Sequence, residues 1–254
     1  MSARVPALVT GAARRIGAAI ALDLAAHGFD VAIHCNSGRA EAERIAAQAA
    51  ALGARTAVVR ADLTDLARCE DIVDAAAGML GAPLRLLVNN ASLFADDSLA
   101  DFDWDGWERH FALHLKAPVA LSRRVAAALP PQAEGLVVNM IDQRVWRPRP
   151  QFFTYGLSKA ALWTATQTMA QALAPRVRVN AIGPGPALRN ARQSEADFAR
   201  QTGAVPLKRG PALDEFGRTI RYLWAARSVT GQMIALDGGQ HLAWETPDVA
   251  GIVE

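Results

Sequence analysis

The stretch ALVTGAARRIG, residues 7–17, decides the fold. A short apolar run enters a turn of small residues and two arginines, and the helix-forming segment 16–27 follows directly. In doubly wound α/β folds, this first strand-to-helix turn brings the phosphates of a dinucleotide to the amides at a helix N-terminus. The string lacks the GxGxxG pattern, so by itself it fits a structural turn as well as a phosphate-binding turn.

The same alternation of short apolar runs and helical segments continues along the chain. Segments 39–52 and 66–80 have helix-forming composition and length. Seven runs are strand-like: 7–10, 30–34, 56–60, 84–89, 136–141, 177–182 and 233–236. Continuously apolar strands separated by helices indicate a parallel sheet covered on both faces. The sequence predicts a Rossmann-like, doubly wound α/β fold in one domain over residues 1–254, with a seven-stranded, mainly parallel sheet and a substrate lid at 188–210.

Composition excludes several classes of protein. Of 254 residues, 51% are hydrophobic and 20% are charged, which is typical of a folded globular domain rather than a disordered, collagen-like or coiled-coil chain. Lys and Arg number 27 against 25 Asp and Glu, a net charge of +2. This gives no broad basic field, so we expect a small-molecule substrate and neither nucleic acid nor membrane as partner.

The two cysteines and the amino-terminal segment predict a cytoplasmic protein. Cys35 and Cys69 match no CxxC spacing and cannot build a disulfide framework, so both are expected to be reduced. The chain enters an apolar strand without the long apolar stretch and cleavage site of a signal peptide. The uncharged stretch 160–175 is too short to span a membrane.

The end of the second strand favours NADP over NAD. NAD-binding folds usually place a carboxylate there to hold the ribose hydroxyls, whereas here no acidic residue occurs between His34 and Glu41. Arg39, together with Arg14 and Arg15, suits a 2′-phosphate because the guanidinium fork matches phosphate geometry. The alternative interpretation is that these arginines are solvated surface charges.

Three residues further along the chain carry acid–base potential. Tyr155 and Lys159 lie four residues apart at the start of a predicted helix and so share one face. A nearby ammonium favours the phenolate over the phenol, whose ordinary pKa is about 10. Asp142, thirteen residues upstream of Tyr155, ends the strand-like run 136–141, at the sheet edge where such folds bind ligands.

Taken together, these motifs resemble the short-chain dehydrogenase/reductase family in order and over nearly the whole chain. The matching strings are TGAARRIG from Thr10, ADL from Ala61, NNAS from Asn89, YGLSK from Tyr155, VRVNAIGPG from Val177 and TGQMIALDGG from Thr230. The resemblance implies hydride transfer from a nicotinamide, with Tyr155 as proton donor. It also implies that Lys159 holds the ribose and lowers the Tyr pKa, and that the protein is a homotetramer.

The predicted cofactor-binding residues combine this resemblance with the arginine argument. They are Gly11, Arg14, Arg15, Ile16, Gly17, Asn36, Ser37, Arg39, Asp62, Leu63, Asn90, Ala91, Ser92, Tyr155, Lys159, Pro184 and Gly185. No metal site is expected, although His110 and His114 have HxxxH spacing, because a third ligand cluster is not evident in the sequence.

Three departures from the general family pattern narrow the resemblance. Arg15 replaces the middle glycine of TGxxxGxG, Asp142 replaces the catalytic serine, and His114 replaces an asparagine. The first two, with Phe94 after NNASL, resemble the pteridine reductase branch. His114 and the ending DGGQHL also resemble the dihydromonapterin and dihydrofolate reductases of bacteria. His114 is therefore a catalytic candidate, for a proton relay.

A carboxylate at position 142 suits a particular substrate chemistry. It would repel a developing oxyanion, so it is a poor replacement for serine in ketone reduction. It accepts hydrogen bonds from the amino and ring N–H groups of a pterin, which is reduced at C=N, where either Tyr155 or a protonated Asp142 could deliver the proton. Predicted substrate-binding residues are Phe94, Asp142, Arg15 and Trp146, with Phe94 alternatively a core aromatic. The rival functions are a general carbonyl or 3-oxoacyl reductase and a non-catalytic NADP(H)-sensing protein.

Overall fold

All seven predicted strands form. A computed structural model describes residues 4–190, 192–244 and 250. The strands are β1 (Val5–Val9), β2 (Phe29–Cys35), β3 (Thr56–Arg60), β4 (Leu86–Asn89), β5 (Gly135–Met140), β6 (Val177–Pro184) and β7 (Met233–Leu236). They pair in parallel in the order β3-β2-β1-β4-β5-β6-β7, as the predicted doubly wound fold requires. Every residue of β2 and β5 is buried, which explains why these strands are mainly apolar rather than regularly alternating.

Helices cover both faces of the sheet. They are α1 (Arg15–Ala26), α2 (Arg39–Ala51), α3 (Leu66–Leu80), α4 (Trp104–Phe111), α5 (Ala117–Ala128), α6 (Phe153–Leu173), α7 (Glu195–Ala204) and α8 (Leu213–Ala225). Apolar side chains of α1, α2 and α8 pack on one face of the sheet, and those of α3, α5 and the end of α6 pack on the other. Among the described residues, none of the helices is both long and apolar enough to cross a membrane.

The strand order creates the place where a ligand can bind. From β1 the chain builds outward to β2 and β3, then returns to the other side of β1 with β4. The loops after β1 and β4 therefore diverge, and a crevice opens at the carboxyl ends of these two strands. This crevice is a cleft of about 990 Å³.

A buried chain of polar side chains connects the sheet below the cleft to α6. Asn89 on β4 donates to Asn139 on β5 at 2.8 Å, and Asn139 donates to Thr166 on α6 at 2.9 Å. All three side chains are buried. Because each donor has a partner, this chain fixes α6 against the strands. The first turns of α6 are thereby held over the cleft.

Candidate active site

The turn after β1 is held by contacts from the neighbouring strands. The Gly11 amide donates to Nδ1 of buried His34 at 3.1 Å, and His34 Nε2 bonds the Ala61 carbonyl at 3.1 Å. His34 is therefore a neutral imidazole protonated at Nε2, and burial lowers its pKa. Asn90 completes the support by donating to the carbonyls of Thr10 and Gly11.

Glycine is required at two positions of this turn. Gly11 has φ +61°, and a Cβ there would lie 2.9 Å from the Cα of Ala91. A Cβ on Gly17 would collide with the Gly11 carbonyl oxygen and the Asn90 amide. The turn therefore brings bare backbone and the N-terminus of α1 to the floor of the cleft, which fits a pyrophosphate.

Arg15 departs from the usual backbone of a non-glycine residue. Its φ is +56°, although it carries a full side chain. Its guanidinium donates to the carbonyls of Arg189 and Leu188, at 3.0 and 3.4 Å. Arg15 thus connects the turn to the start of the predicted lid, segment 188–210. Within that segment, Leu188, Asn190, Gln193 and Gln201 line the cleft.

The ends of β2 and β3 form the far side of the cleft. Asn36, Ser37, Asp62 and Leu63 line it. Hydrogen bonds from the amide and hydroxyl of Thr64, at 2.9 and 2.8 Å, lower the pKa of Asp62, so it is a carboxylate at neutral pH.

Arg39 does not lie where the sequence places it. Its guanidinium donates to Glu43 one helical turn away, at 2.8 Å, and it is absent from the cleft lining. The reason is local, because the i,i+4 spacing on α2 supplies a carboxylate partner. Arg14 and Arg15 are exposed in the cleft, and neither forms an ion pair among the described residues.

Asp142 and Tyr155 meet at the centre of the cleft. The Tyr155 hydroxyl donates to Asp142 Oδ2 at 2.9 Å. Arg144 holds the same carboxylate, with its amide 2.9 Å from Oδ1 and its Nη1 3.1 Å from Oδ2. Both charged side chains are mostly buried, at 13% and 15% exposed. Asp142 is therefore an oriented acceptor with three hydrogen bonds.

The ionisation of Tyr155 differs from the expectation. Burial, reinforced by the Asp142 charge, raises the pKa of Tyr155 well above its ordinary value. Lys159, whose ammonium lies 5.7 Å from the centroid of the Tyr155 ring, is not among the groups that shift this pKa, so the predicted lowering by Lys159 is not found. Lys159 donates to the Met140 carbonyl at 2.8 Å, and burial lowers its own pKa to about 8.

His114 lies behind the cleft and has no free ring nitrogen. It sits in a π-helical segment (Ala112–Lys116) between α4 and α5. The Leu93 amide donates to Nε2 at 3.0 Å, so Nδ1 carries the proton and donates to Ser158 Oγ at 2.8 Å. Burial lowers the His114 pKa well below its ordinary value. This neutral ring positions the loop after β4 and the first turns of α6.

Of the predicted substrate residues Phe94 and Trp146, only the first lines the cleft. Phe94 lines the cleft, packs edge-on against Tyr155 at 4.8 Å and stacks on Phe152 at 4.3 Å. Trp146 does not line the cleft, and its assignment as a substrate residue stays a prediction. A 3₁₀ turn (Gln143–Val145) directs Gln143 and Arg144 inward, and Trp146 packs on His241 outside the cleft.

Sequence reasoning missed several residues of the cleft. Arg144, Arg149, Phe152 and Arg192 line it beside the predicted residues. For Arg144, a signal was present, since an arginine two residues after a strand-ending aspartate can bond back to it. The others arrive from loops whose course the sequence does not specify. The remaining predicted cofactor residues, Pro184 and Gly185 included, line the cleft together.

The fold, the TGAARRIG turn and the Tyr155–Lys159 pair agree with the comparisons to known proteins. The family model described as Enoyl-(Acyl carrier protein) reductase matches residues 11–241. The "Short-chain type dehydrogenase/reductase" of Picea abies is 29% identical over 248 residues, covering 92% of this chain and 91% of that protein. The chain therefore belongs to the short-chain dehydrogenase/reductase family and is an oxidoreductase.

Two further similar proteins differ in the substrate that their names give. A crystal structure of "FolM Alternative dihydrofolate reductase 1" from Brucella suis, in complex with NADP, is 59% identical with a TM-score of 0.95, covering 98% of this chain and 100% of that one. A "3-oxoacyl-[acyl-carrier-protein] reductase FabG" from Staphylococcus epidermidis is 27% identical over 241 residues, covering 93% of this chain and 98% of that protein.

Proposed function

We propose that this chain is an NADP(H)-dependent reductase of a small flat heterocycle such as a dihydropterin. The observation that carries the proposal is the carboxylate of Asp142, 2.9 Å from the Tyr155 hydroxyl. An oxyanion formed from a ketone would meet this negative charge, whereas ring N–H and amino groups of a pterin would find a hydrogen-bond acceptor. The 59% identity to a protein described as a dihydrofolate reductase supports the same substrate class.

The cleft fits the cofactor. The glycine turn and the N-terminus of α1 would hold the pyrophosphate, Asp62 and Leu63 would flank the adenine, and Arg14 would face the 2′-phosphate. Lys159 would hold the ribose near the reacting atoms. When bound, the reduced nicotinamide supplies the hydride. Asn90, Ala91 and Ser92 after β4, with Pro184 and Gly185 after β6, would complete the walls.

Tyr155 is the proton donor in this proposal. Its raised pKa keeps the phenol protonated at neutral pH, so it can donate but does not act as a base before reduction. The proton would pass from the Tyr155 hydroxyl to the ring nitrogen of the C=N bond. The Lys159 ammonium would stabilise the phenolate that remains. Asp142, held by Arg144, would orient the heterocycle by accepting its N–H groups.

The proposal also covers the domain organisation, the oligomeric state and the location of the protein. Residues 1–254 form one domain in which 188–210 act as a lid, and the protein is a cytoplasmic homotetramer. The lid role rests on the Arg15 bonds to the Leu188 and Arg189 carbonyls. These bonds join the cofactor turn to the segment that borders the substrate end.

The direct test is NADPH oxidation by the purified protein, followed by absorbance, with dihydrobiopterin, dihydrofolate and a panel of small diketones and 3-oxoacyl thioesters. Turnover of the pterins supports the proposal. The 27% identical 3-oxoacyl reductase favours the second candidate, a general carbonyl reductase. Turnover of ketones and thioesters alone would replace the proposal with that candidate. Tight NADPH binding without any turnover would identify a cofactor sensor.

We expect Arg14→Gln to discriminate between the two nicotinamide cofactors. Loss of a guanidinium facing the 2′-phosphate should raise the Kd for NADPH about 10-fold and change that for NADH less than about 2-fold. The matched control is Arg39→Gln, because Arg39 is paired with Glu43 outside the cleft lining. Fluorescence titration of both cofactors measures the effect. Equal weakening of NADPH and NADH would place Arg14 on the pyrophosphate instead.

A further inference from the structure

Two arginines flank the aromatic pair at the substrate end of the cleft, and a third, Arg149, lines the same cleft. The guanidinium carbon of Arg144 lies 5.4 Å from the ring centroids of both Phe94 and Phe152. Arg192 lies 5.2 and 5.6 Å from the same centroids. Burial lowers the pKa of Arg149, repulsion by Arg144 and Arg147 lowers it further, and the Asp142 carboxylate opposes the shift. Positive charge is thus concentrated beside the site proposed for the heterocycle.

Two of these three charges have only neutral partners. Arg144 is neutralised by Asp142, as described above. Arg149 donates to the side-chain oxygen of Gln151 at 3.3 Å, and Arg192 donates to the Phe94 carbonyl at 3.3 Å. Within residues 4–190 and 192–244, no carboxylate lies within ion-pair distance of either guanidinium. Asp96 is the other acidic residue lining this end of the cleft, and it pairs with neither of them.

The cofactor phosphates do not account for these charges. The proposed phosphate site lies in the turn after β1 and has its own cations, Arg14 and Arg15. Arg149 precedes α6, and Arg192 follows β6 and contacts Phe94, so both belong to segments other than the turn that would hold the phosphates. Arg144 also keeps a buried Nε without a hydrogen-bond partner among the described residues. This end of the cleft therefore has unused donors as well as unpaired positive charge.

We propose that Arg149 and Arg192 form a subsite for an anionic group, a carboxylate or a phosphate, carried by the side chain of the heterocyclic substrate. Guanidinium groups bind both anions through paired N–H donors. The heterocycle would lie against Asp142 and Phe94, and its anionic side chain would extend toward the lid. This inference rests on the proposed function and deepens it, because it divides dihydropterins into preferred anionic and disfavoured neutral substrates.

The test compares three substrates in the double variant Arg149→Gln/Arg192→Gln. Dihydrofolate carries carboxylates, a phosphorylated hydroxyalkyl dihydropterin carries a phosphate, and dihydrobiopterin has a neutral side chain. For the anionic substrates we expect KM to rise about 10-fold or more with kcat nearly unchanged, since binding is lost and chemistry is kept. For dihydrobiopterin we expect kcat/KM to stay within about 2-fold.

The matched control is Arg147→Gln/Arg200→Gln. It removes two positive charges from the same segments, at positions outside the cleft lining. We expect this control to behave like the unmodified protein with all three substrates. Raised salt should increase KM for anionic substrates in the unmodified protein and have less effect in the double variant, because the attraction is screened.

The outcomes separate this inference from the proposed function. A rise in KM for one or both anionic substrates in the Arg149→Gln/Arg192→Gln variant supports the subsite. The substrate affected identifies carboxylate, phosphate or both as its ligand. An equal rise in KM for the neutral substrate, or no rise for either anionic substrate, overturns the subsite. If no pterin is reduced at all, the proposed function fails. Tryptophan-fluorescence titration with folate and biopterin then still decides the subsite, since weaker binding of folate alone in the double variant supports it and unchanged binding overturns it.

Discussion

Replacing Tyr155 by Phe is expected to lower kcat/KM for dihydropterin reduction about 10³-fold and to leave the NADPH affinity within about 2-fold. The change removes one oxygen, the proton-bearing atom that lies 2.9 Å from Asp142. The ring itself is retained, together with its edge-on contacts with Phe94 and His114. The phenylalanine should therefore fold and bind cofactor but lack a proton to donate.

The chain offers a matched control for this experiment. It contains two tyrosines, and Tyr222 is exposed on α8, away from the cleft lining. Tyr222→Phe should leave every kinetic constant unchanged. Steady-state rates, NADPH fluorescence titration and thermal unfolding of both variants separate lost chemistry from lost binding or lost fold. Full activity in Tyr155→Phe would remove the tyrosine from the mechanism and assign proton donation to another group.

Asp142→Ser is the second change with a large expected effect. We expect kcat/KM for dihydropterins to fall about 10²-fold, because the oriented acceptor for the ring N–H groups is lost. Reduction of small diketones should be unchanged or faster, since a hydroxyl donor can stabilise an oxyanion where a carboxylate repels it. Rates of NADPH oxidation with dihydropterins and with diketones give the ratio of the two kcat/KM values. A ratio that does not change would mean that Asp142 only shapes the pocket.

The ion pair with Arg144 requires an additional variant. Removing the carboxylate leaves a mostly buried guanidinium without its partner, which should destabilise the fold by about 1–3 kcal/mol. Asp142→Ser/Arg144→Gln removes that unpaired charge and should recover much of the stability without recovering pterin turnover. Chemical denaturation beside the kinetic assay tests both parts. Recovery of pterin turnover in the double variant would show that the unpaired arginine, rather than the missing carboxylate, caused the defect.

The sheet and the reacting pair were predictable because short-range rules specify them. Most strands are dominated by apolar residues, since parallel strands buried on both faces have little polar alternation to confuse the pattern. Tyr155 and Lys159 share a face of α6 through their spacing alone. Asp142 follows from the rule that ligands bind at the carboxyl ends of such strands.

Residues outside regular elements were not predictable in the same way. Trp146 was expected at the substrate because it follows Asp142 closely, yet one 3₁₀ turn rotates it to the outer surface. Arg39 was expected at the cofactor, yet a carboxylate four residues on engages it. Arg192 lies 98 residues from its partner Phe94 in sequence, and only the tertiary fold brings them together.

The direction of the Tyr155 pKa shift was also not predictable from the sequence. Spacing indicates that an ammonium lies near a phenol, but it does not indicate how much water surrounds them. In the folded chain both side chains are buried, and the Asp142 carboxylate is in direct contact with the phenol. Desolvation and that negative charge raise the pKa of Tyr155, although the Arg144 guanidinium opposes them. Burial is a property of the whole fold, so the direction emerged only from the structure.

The positive φ of Arg15 has a consequence for protein engineering. A side chain in this conformation costs about 1 kcal/mol relative to glycine, so Arg15→Gly is a change that selection for heat resistance alone would favour. The same change would cut the guanidinium bonds to the Leu188 and Arg189 carbonyls. Variants selected for thermostability should therefore be assayed for turnover at every round. Arg15 strains the backbone, but it also connects the cofactor turn to segment 188–210.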